Sequence, residues 1–368
     1  MTDTDRTSGT SDGDLLLDVD DVVKHFPVRA GSLLNRTSAQ VRAVDGVSFS
    51  LKVGETLGLV GESGCGKSTL ARLVTALHPV TSGHIRFKGQ DVTTLSRRQM
   101  RPLRRSVQMV FQDPYGSLNP RRRVGSILAD PYSVHESLSR SEVRRRVQEL
   151  MARVGLHPEH YNRFPSEFSG GQRQRIGIAR ALALRPELIV CDEPVSALDV
   201  SIQAQIINLL EDLQAEFMLT YIFIAHDLSV VRHVSDRIAV MYLGKLVETG
   251  PVEEIYSRSR HPYTASLLSA VPVAAKAFLG ARKERVILSG DVPSPVRPPS
   301  GCRFHPRCPK AQAKCAIEEP VLEQKPGDTP GHLTACHFPV MADEPLAAAS
   351  RDEPPSAEQS TLVEGAQR

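Results

Sequence analysis

The sequence of 368 residues contains no apolar run long enough to cross a bilayer. A spanning helix needs about 20 consecutive apolar residues, and the longest candidate, FMLTYIFIA, has the length of a buried strand. The N-terminal stretch MTDTDRTSGTSDGD is polar and lacks the apolar region of a signal peptide. We therefore expect a cytosolic chain, whose role at a membrane would require a partner that spans the bilayer.

An excess of charge of one sign is also missing. The sequence has 45 basic and 42 acidic residues, which gives a formal net charge of +3. This balance is too even to indicate a nucleic acid as partner, and none is expected. No internal repeat is present either, while 40% hydrophobic residues suffice for one large domain with an appended module.

Apolar runs alternate with amphipathic segments from Leu15 to about Gly250, which predicts an α/β fold. The segment SIQAQIINLLEDLQAEF predicts a helix with one core-facing side. RIAVMYLGKLVETG predicts two strands around a turn at Gly244. The residues expected on the core face of the helix are Ile202, Ile206, Leu209, Leu213 and Phe217. Buried strands are expected at residues 56–60, 106–111, 188–191 and 221–225.

The segment GESGCGKST has the pattern of a phosphate-binding loop, G-x-x-x-x-G-K-[ST], and lies between a strand and a helix. Its glycines allow backbone N–H groups to turn towards phosphate oxygens, and the helix N-terminus adds partial positive charge. Lys67 is expected at the β- and γ-phosphates of ATP, and Ser68 at Mg²⁺. The loop consists of Gly61, Glu62, Ser63, Gly64, Cys65, Gly66, Lys67, Ser68 and Thr69.

Two acidic residues follow the hydrophobic strand in LIVCDEP. In a protein with a phosphate-binding loop, such acidic residues hold Mg²⁺ and orient the attacking water. We therefore expect Asp192 to hold Mg²⁺ and Glu193 to act on the water.

The segment EFSGGQRQRIGIARAL, between these two motifs, resembles the LSGGQ signature of the ABC-transporter ATPase family, with Phe168 in place of the leucine. The resemblance implies a RecA-like core with an antiparallel β subdomain and an α-helical subdomain. It also implies a head-to-tail dimer, in which ATP lies between the phosphate-binding loop of one subunit and the signature of the other. The signature residues are Ser169, Gly170, Gly171 and Gln172.

Further segments match the same family in order. Gln112 in MVFQDP resembles the glutamine that contacts the metal and the water, and Asp199 ends a SALD segment like the one that crosses the dimer interface. His226 in FIAHDLSVV resembles the switch histidine at the γ-phosphate. Family members often stack a tyrosine on adenine, and the matching segment KHFPV offers His25 and Phe26 instead.

The segments AVDGVSFSL and FQDPYGSLNPR and the cysteine-bearing C-terminal extension resemble the ATPases of oligopeptide/dipeptide importers, in particular the F-type subunit. This resemblance implies ATP hydrolysis coupled to peptide uptake at the cytoplasmic face of the membrane. It also implies a paralogous ATPase subunit as heterodimer partner, two permease subunits and an extracytoplasmic binding protein. Related importers carry nickel complexes, glutathione or oligosaccharides, so the cargo stays open.

ABC ATPases that act on nucleic acid or ribosomes share the same motifs. Those that act on DNA usually carry a long coiled coil or a zinc insertion between loop and signature, and the translation factors carry two cassettes. This sequence has one cassette and no heptads in that interval, which favours the importer.

Four of the six cysteines lie within 35 residues near the C-terminus. Disulfides are rare in the cytosol, and the spacing fits neither the tight pairs of zinc sites nor ferredoxin runs. Four cysteines in a proline-rich segment with little regular structure are expected to hold a metal centre that replaces a core, with four free thiols as the alternative. The importer resemblance implies a [4Fe–4S] cluster, with zinc as the alternative. The thiols are Cys302, Cys308, Cys315 and Cys336, and nearby zinc candidates are His305, His332 and His337.

The motifs and composition predict four parts of the chain. Residues 15–265 form the ABC ATPase domain and residues 266–340 a small Cys-rich module. Residues 1–14 and 341–368 are polar or of low complexity and are predicted to be disordered tails.

Overall fold

The computed structural model describes residues 15–29, 38–96, 98–113, 115–270, 290–341 and 344. The two predicted tails, apart from Met341 and Glu344, and residues 271–289 of the predicted Cys-rich module lie outside the described residues. No helix in the described part is long and apolar enough to span a membrane.

A four-stranded antiparallel sheet forms the first subdomain, in the order β2-β1-β4-β5. Its long strands β1 and β2 pair along most of their length. The strands are β1 (Leu15–Arg29), β2 (Ser38–Lys52), β4 (Ser82–Phe87) and β5 (Gln90–Asp91).

The central sheet has seven strands: β3 (Thr56–Val60), β6 (Val107–Val110), β7 (Leu188–Asp192), β8 (Thr220–Ile224), β9 (Arg237–Tyr242), β10 (Lys245–Pro251) and β11 (Leu333–Thr334). Their order is β11-β10-β9-β3-β8-β7-β6. The five strands from β9 to β6 run parallel, while β10 and β11 are antiparallel. The predicted buried strands and the two strands around Gly244 are confirmed.

The helices flank the central sheet or form a separate helical subdomain. They are α1 (Lys67–Val74), α2 (Met100–Ser106), α3 (Val124–His135), α4 (Arg140–Arg153), α5 (Gly170–Leu182), α6 (Val200–Phe217), α7 (Leu228–Val234), α8 (Val252–Ser257), α9 (Pro262–Ser269) and α10 (Ala313–Ile317). The helical subdomain consists of α3, α4 and α5, which pack against one another.

Alternate residues of β8 belong to two different hydrophobic cores. Tyr221 and Phe223 lie in the core shared with the helical subdomain. Ile222 and Ile224 lie in the core shared with the antiparallel sheet and α1. Because strand side chains alternate between faces, the central sheet is covered by a hydrophobic core on each side. A sheet packed on both faces is a firm support for the loops at its edge.

The predicted core face of α6 was partly wrong. Ile206 and Leu213 are buried as expected, but the other buried positions are Ile207 and Leu210. Leu209 is only partly buried. The helix contains the adjacent apolar pairs Ile206–Ile207 and Leu209–Leu210, so a 3.6-residue period fits either of two neighbouring faces.

Truncating Leu210 to alanine is therefore expected to destabilise the protein by about 2–5 kcal/mol, because the side chain is fully buried. Leu209→Ala removes the same atoms from a partly buried position and should cost less than half as much. Urea unfolding of both variants measures the difference. An equal or larger loss for Leu209→Ala would restore the face predicted from the sequence.

Candidate functional site

Four neighbouring parallel strands, β3, β8, β7 and β6, end at one edge of the central sheet. Loops at the carboxyl ends of parallel strands are the usual place for ligands in such sheets. The chain therefore brings residues that are far apart in sequence to one edge. They are Gly61–Thr69 after β3, Gln112 after β6, Asp192 and Glu193 at the end of β7, and His226 after β8.

The phosphate-binding loop adopts a conformation that needs its glycines. Gly66 has a φ of 112°, and a Cβ on it would lie 2.1 Å from the carbonyl oxygen of Ala43. Lys67 is 5% exposed, and its Nζ donates to the carbonyl oxygens of Gly61 and Glu62 at 2.7 and 3.0 Å. The ammonium group is thus held against the first two residues of the loop.

The rest of the loop alternates between exposed and buried positions. Ser63 and Gly64 are exposed at its tip, while Cys65 is buried. The Sγ of Cys65 lies 3.9 Å from the Nζ of Lys67, and burial raises the pKa of its thiol. Thr69 is half-buried in the first turn of α1. Cys65 is therefore a packed, protonated thiol of the loop.

Ser68 and Asp192, the two side chains predicted to hold Mg²⁺, lie side by side. The hydroxyl of Ser68 donates to Oδ1 of Asp192 at 2.9 Å. Burial raises the pKa of Asp192, and the nearby Glu193 carboxylate raises it further, against the hydrogen bond from Ser68. Hard cations prefer oxygen ligands, so the pair fits Mg²⁺, and a cation there would stabilise the buried carboxylate.

Glu193 lies at the centre of the remaining predicted catalytic residues. Its Oε2 accepts a hydrogen bond from Nε2 of Gln112 at 2.8 Å and lies 3.6 Å from Nδ1 of His226. The backbone of Glu193 has a φ of 47°, in the left-handed region that is rare for residues other than glycine, and its N–H donates to Ile224. This conformation aims the carboxylate at the edge of the sheet.

The signature residues begin helix α5. Ser169 caps the helix, because its Oγ accepts from the N–H of Gln172 at 3.3 Å and its own N–H donates to Oε1 of Gln172 at 2.9 Å. Gly171 packs closely on Ile202 of α6, where a Cβ would lie 2.5 Å from Cγ2, and Asp199 begins α6. The structure shows no hydrogen bond between these residues and the phosphate-binding loop within the described part of the chain.

A contact between the Gln112 segment and the signature helix was not predicted. The guanidinium of Arg173 stacks 3.7 Å from the ring centroid of Tyr115 and donates to its hydroxyl. Arg180, on the same helix, donates to the carbonyl oxygen of Ser117 at 2.7 Å. The sequence carries no local signal for this contact, because the arginines and their partners are about 60 residues apart in the chain.

Comparisons with known proteins agree with the geometry of the site. The family models described as "ABC transporter" and "Oligopeptide/dipeptide transporter, C-terminal region" match residues 44–196 and 247–315. The oligopeptide transport ATP-binding protein AppF of Bacillus subtilis is 56% identical over 88% of this chain and 97% of its own length. This chain belongs to the ATP-binding subunits of oligopeptide/dipeptide ABC transporters. The dipeptide transport ATP-binding protein DppF of Escherichia coli is 49% identical over 89% of this chain and 96% of its own.

A solved ATP-binding cassette, determined as a dimer in a post-hydrolysis state with ADP and phosphate, has the same fold as this ABC subunit. The two structures superpose with a TM-score of 0.58 at 28% identity, over 64% of this chain and 99% of the other. The predicted ABC ATPase fold is thereby confirmed, and ATP hydrolysis is the activity of the family.

The predicted adenine contacts of the subunit lie on β1. His25 is bonded through Nε2 to Oδ1 of Asp45 at 2.8 Å, and Phe26 packs edge-on against the ring of His78. Asp45 was not foreseen as a partner of His25. Asp45 thus fixes one nitrogen of the His25 imidazole. That His25 or Phe26 stacks on adenine stays a prediction.

The four C-terminal cysteines of the subunit do converge. They line one cavity of about 10 Å³, which is close to the least space that can hold one water molecule. Burial raises the pKa of Cys308 to about 11 and of Cys336 to about 12, so these thiols are protonated. No group of three or more His, Cys, Asp or Glu side chains in the described part of the chain is arranged to hold a metal ion.

The predicted [4Fe–4S] or zinc centre is therefore not supported by this arrangement. The nearby histidines are also engaged elsewhere. His332 bonds to the buried Glu248 at 2.8 Å, and His305 and His337 bond to carbonyl oxygens at 2.9 Å. These bonds occupy one ring nitrogen of each imidazole.

Proposed function

We propose that this subunit hydrolyses ATP to drive the uptake of dipeptides and oligopeptides, as a peripheral protein on the cytoplasmic face of the membrane. The observation that carries the proposal is the extent of the similarity. It covers 97% of an oligopeptide transport ATP-binding protein and includes the C-terminal region specific to this transporter family.

Hydrolysis follows from the positions of the residues at the sheet edge. Lys67 and the backbone N–H groups of its loop bind the β- and γ-phosphates, and Ser68 and Asp192 would hold Mg²⁺, which neutralises phosphate charge. Glu193 accepts the proton of the attacking water. Gln112 and His226 hold that carboxylate from two sides and contact the water and the γ-phosphate.

A second ATPase subunit completes the site. Ser169, Gly170 and Gly171 present the N-terminus of α5 as an anion-binding end, and each ATP would join this end of one cassette to the phosphate-binding loop of the other. The partner is a paralogous ATPase, and both cassettes dock on two permeases, which receive cargo from a binding protein. ATP drives the cycle because it binds the closed dimer in preference to the open one.

The four C-terminal cysteines act together in this proposal, as thiols or as ligands of a metal centre. Their convergence on one cavity supports a joint role. Measuring iron, acid-labile sulfide and zinc in anaerobically purified protein shows whether the four cysteines bind a metal centre or are free thiols. About four irons with sulfide would indicate a [4Fe–4S] cluster, one zinc a zinc site, and neither metal a set of free thiols.

Uptake by the reconstituted transporter tests the proposal. The chain, its paralogous ATPase and the permeases are placed in vesicles with ATP on the cassette side, and the loaded binding protein is added on the other side. Labelled dipeptides and longer peptides should accumulate only with ATP. Uptake of a nickel complex, glutathione or an oligosaccharide in place of peptides would contradict the assignment of cargo.

A further inference from the structure

A short segment of the C-terminal region reaches the nucleotide site. We call residues 302–308, CRFHPRC, the strap. Its two arginines, Arg303 and Arg307, are both buried, and both point out of the cysteine cluster towards the ATPase domain. Buried guanidinium groups need partners, and the partners here belong to the walls of the nucleotide site.

Arg307 holds the second residue of the phosphate-binding loop. Its Nη1 and Nη2 donate to the two carboxylate oxygens of Glu62 at 2.8 and 3.1 Å, and Nη1 lies 3.3 Å from the hydroxyl of Tyr242. This two-pronged geometry is the strongest form of arginine–carboxylate pairing. Arg307 is 8% exposed and Glu62 is 26% exposed, so solvent screens the pair less than it screens an ion pair on the open surface.

The backbone of Glu62 is anchored from the same side. Its N–H donates to the hydroxyl of the fully buried Tyr263 at 2.8 Å. The ring of Phe304, in the strap, packs against both Tyr242 and Tyr263, with centroids 5.3 Å from each. The strap and α9 therefore fix both the side chain and the peptide plane of one loop residue.

The other arginine of the strap reaches the opposite wall. Arg303 pairs with Oδ2 of Asp45 and donates to the carbonyl oxygen of Leu243. The other carboxylate oxygen of Asp45 is bonded to His25. One strap thus contacts the phosphate side of the site through Glu62 and the predicted adenine side through Asp45.

We infer that Arg307 is a positioning residue, which holds the phosphate-binding loop in shape and neutralises Glu62 so that the strap sets the affinity for ATP. Glu62 lies within a loop whose role is to attract phosphates. Without Arg307 its carboxylate would be unpaired and would repel the charge of ATP. The inference rests on the proposed nucleotide role of the loop.

The affinity of the full-length chain for MgATP, measured by calorimetry, tests this inference. Arg307→Met should raise the Kd for MgATP about tenfold, since a charge-assisted pair is lost and a carboxylate is left unpaired. Adding Glu62→Gln to Arg307→Met should return the Kd to within about threefold of the wild type, because the repelling charge is gone. Arg307→Lys should fall between wild type and Arg307→Met.

Lys325→Met is the matched control, because Lys325 lies in the same region and pairs with Glu323 at 2.8 Å, outside the nucleotide site. An Arg307→Met chain that binds MgATP as tightly as Lys325→Met would overturn the inference and leave the proposed function standing. If Glu62→Gln fails to restore the affinity that Arg307→Met loses, the loss reflects a general structural defect, and the inference is also overturned. If the wild-type chain itself binds no MgATP, the proposed function falls, and the inference with it.

Discussion

Replacing Glu193 by glutamine is expected to lower the ATP turnover of the assembled transporter by about 100-fold or more, the usual effect of losing a general base. Glutamine keeps the size of the side chain and can still bond to Gln112, whose Nε2 lies 2.8 Å from the carboxylate. It cannot take the proton of the attacking water. Binding of ATP should persist, because the phosphate-binding loop is unchanged, and the closed pair of cassettes should accumulate.

Steady-state phosphate release and ATP-dependent association of the two cassettes measure the two effects. Glu211→Gln is the control, since Glu211 is a partly exposed glutamate on α6 whose carboxylate lies 3.4 Å from Nε2 of His233, outside the nucleotide site. Its turnover should match the wild type. Turnover near the wild-type rate in Glu193→Gln would remove Glu193 from the role of base.

Replacing Gly66 by alanine is expected to weaken the binding of MgATP about 100-fold. The new Cβ would lie 2.1 Å from the carbonyl oxygen of Ala43, and the φ of 112° is strained for any residue with a Cβ. Backbone carbonyls cannot move aside as a flexible side chain would, so the loop itself has to shift. A shift of about 1 Å is enough to misplace groups that must contact phosphate.

Gly89→Ala separates the effect of the clash from that of a positive φ. Gly89 has a φ of 74° in the turn between β4 and β5, and a Cβ added to it would meet no neighbouring atom within 4 Å. The variant should lose about 1 kcal/mol of stability and bind MgATP like the wild type. Calorimetry of both variants measures the affinities, and equal binding by Gly66→Ala and Gly89→Ala would contradict the account of the loop.

Most of the site could be predicted from the sequence because each of its parts is local. The glycines and Lys67 form one continuous motif between a strand and a helix. Asp192 and Glu193 end a buried strand, and His226 follows another. Parallel strands bring their carboxyl ends to one edge, so motifs that each follow a strand converge without any further information.

The contacts between distant segments could not be predicted. Arg307 and Glu62 are 245 positions apart, and neither periodicity nor a motif links an arginine in a proline-rich segment to a particular acid. The pairing depends on how the C-terminal region packs on β10 and α9. The prediction of the buried face of α6 failed for a different reason. Its adjacent apolar pairs fit two neighbouring faces equally well, and only packing selects one of them.

The stimulation of ATP hydrolysis by peptide distinguishes a peptide importer from ABC ATPases that act on nucleic acid or ribosomes. The measurement uses the transporter reconstituted with this chain, its paralogous ATPase, the permeases and the binding protein. We expect hydrolysis to rise several-fold when peptide-loaded binding protein is added, and we expect Glu193→Gln to abolish the rise. Hydrolysis that is unchanged by peptide but rises with DNA or ribosomes would contradict a role in peptide import.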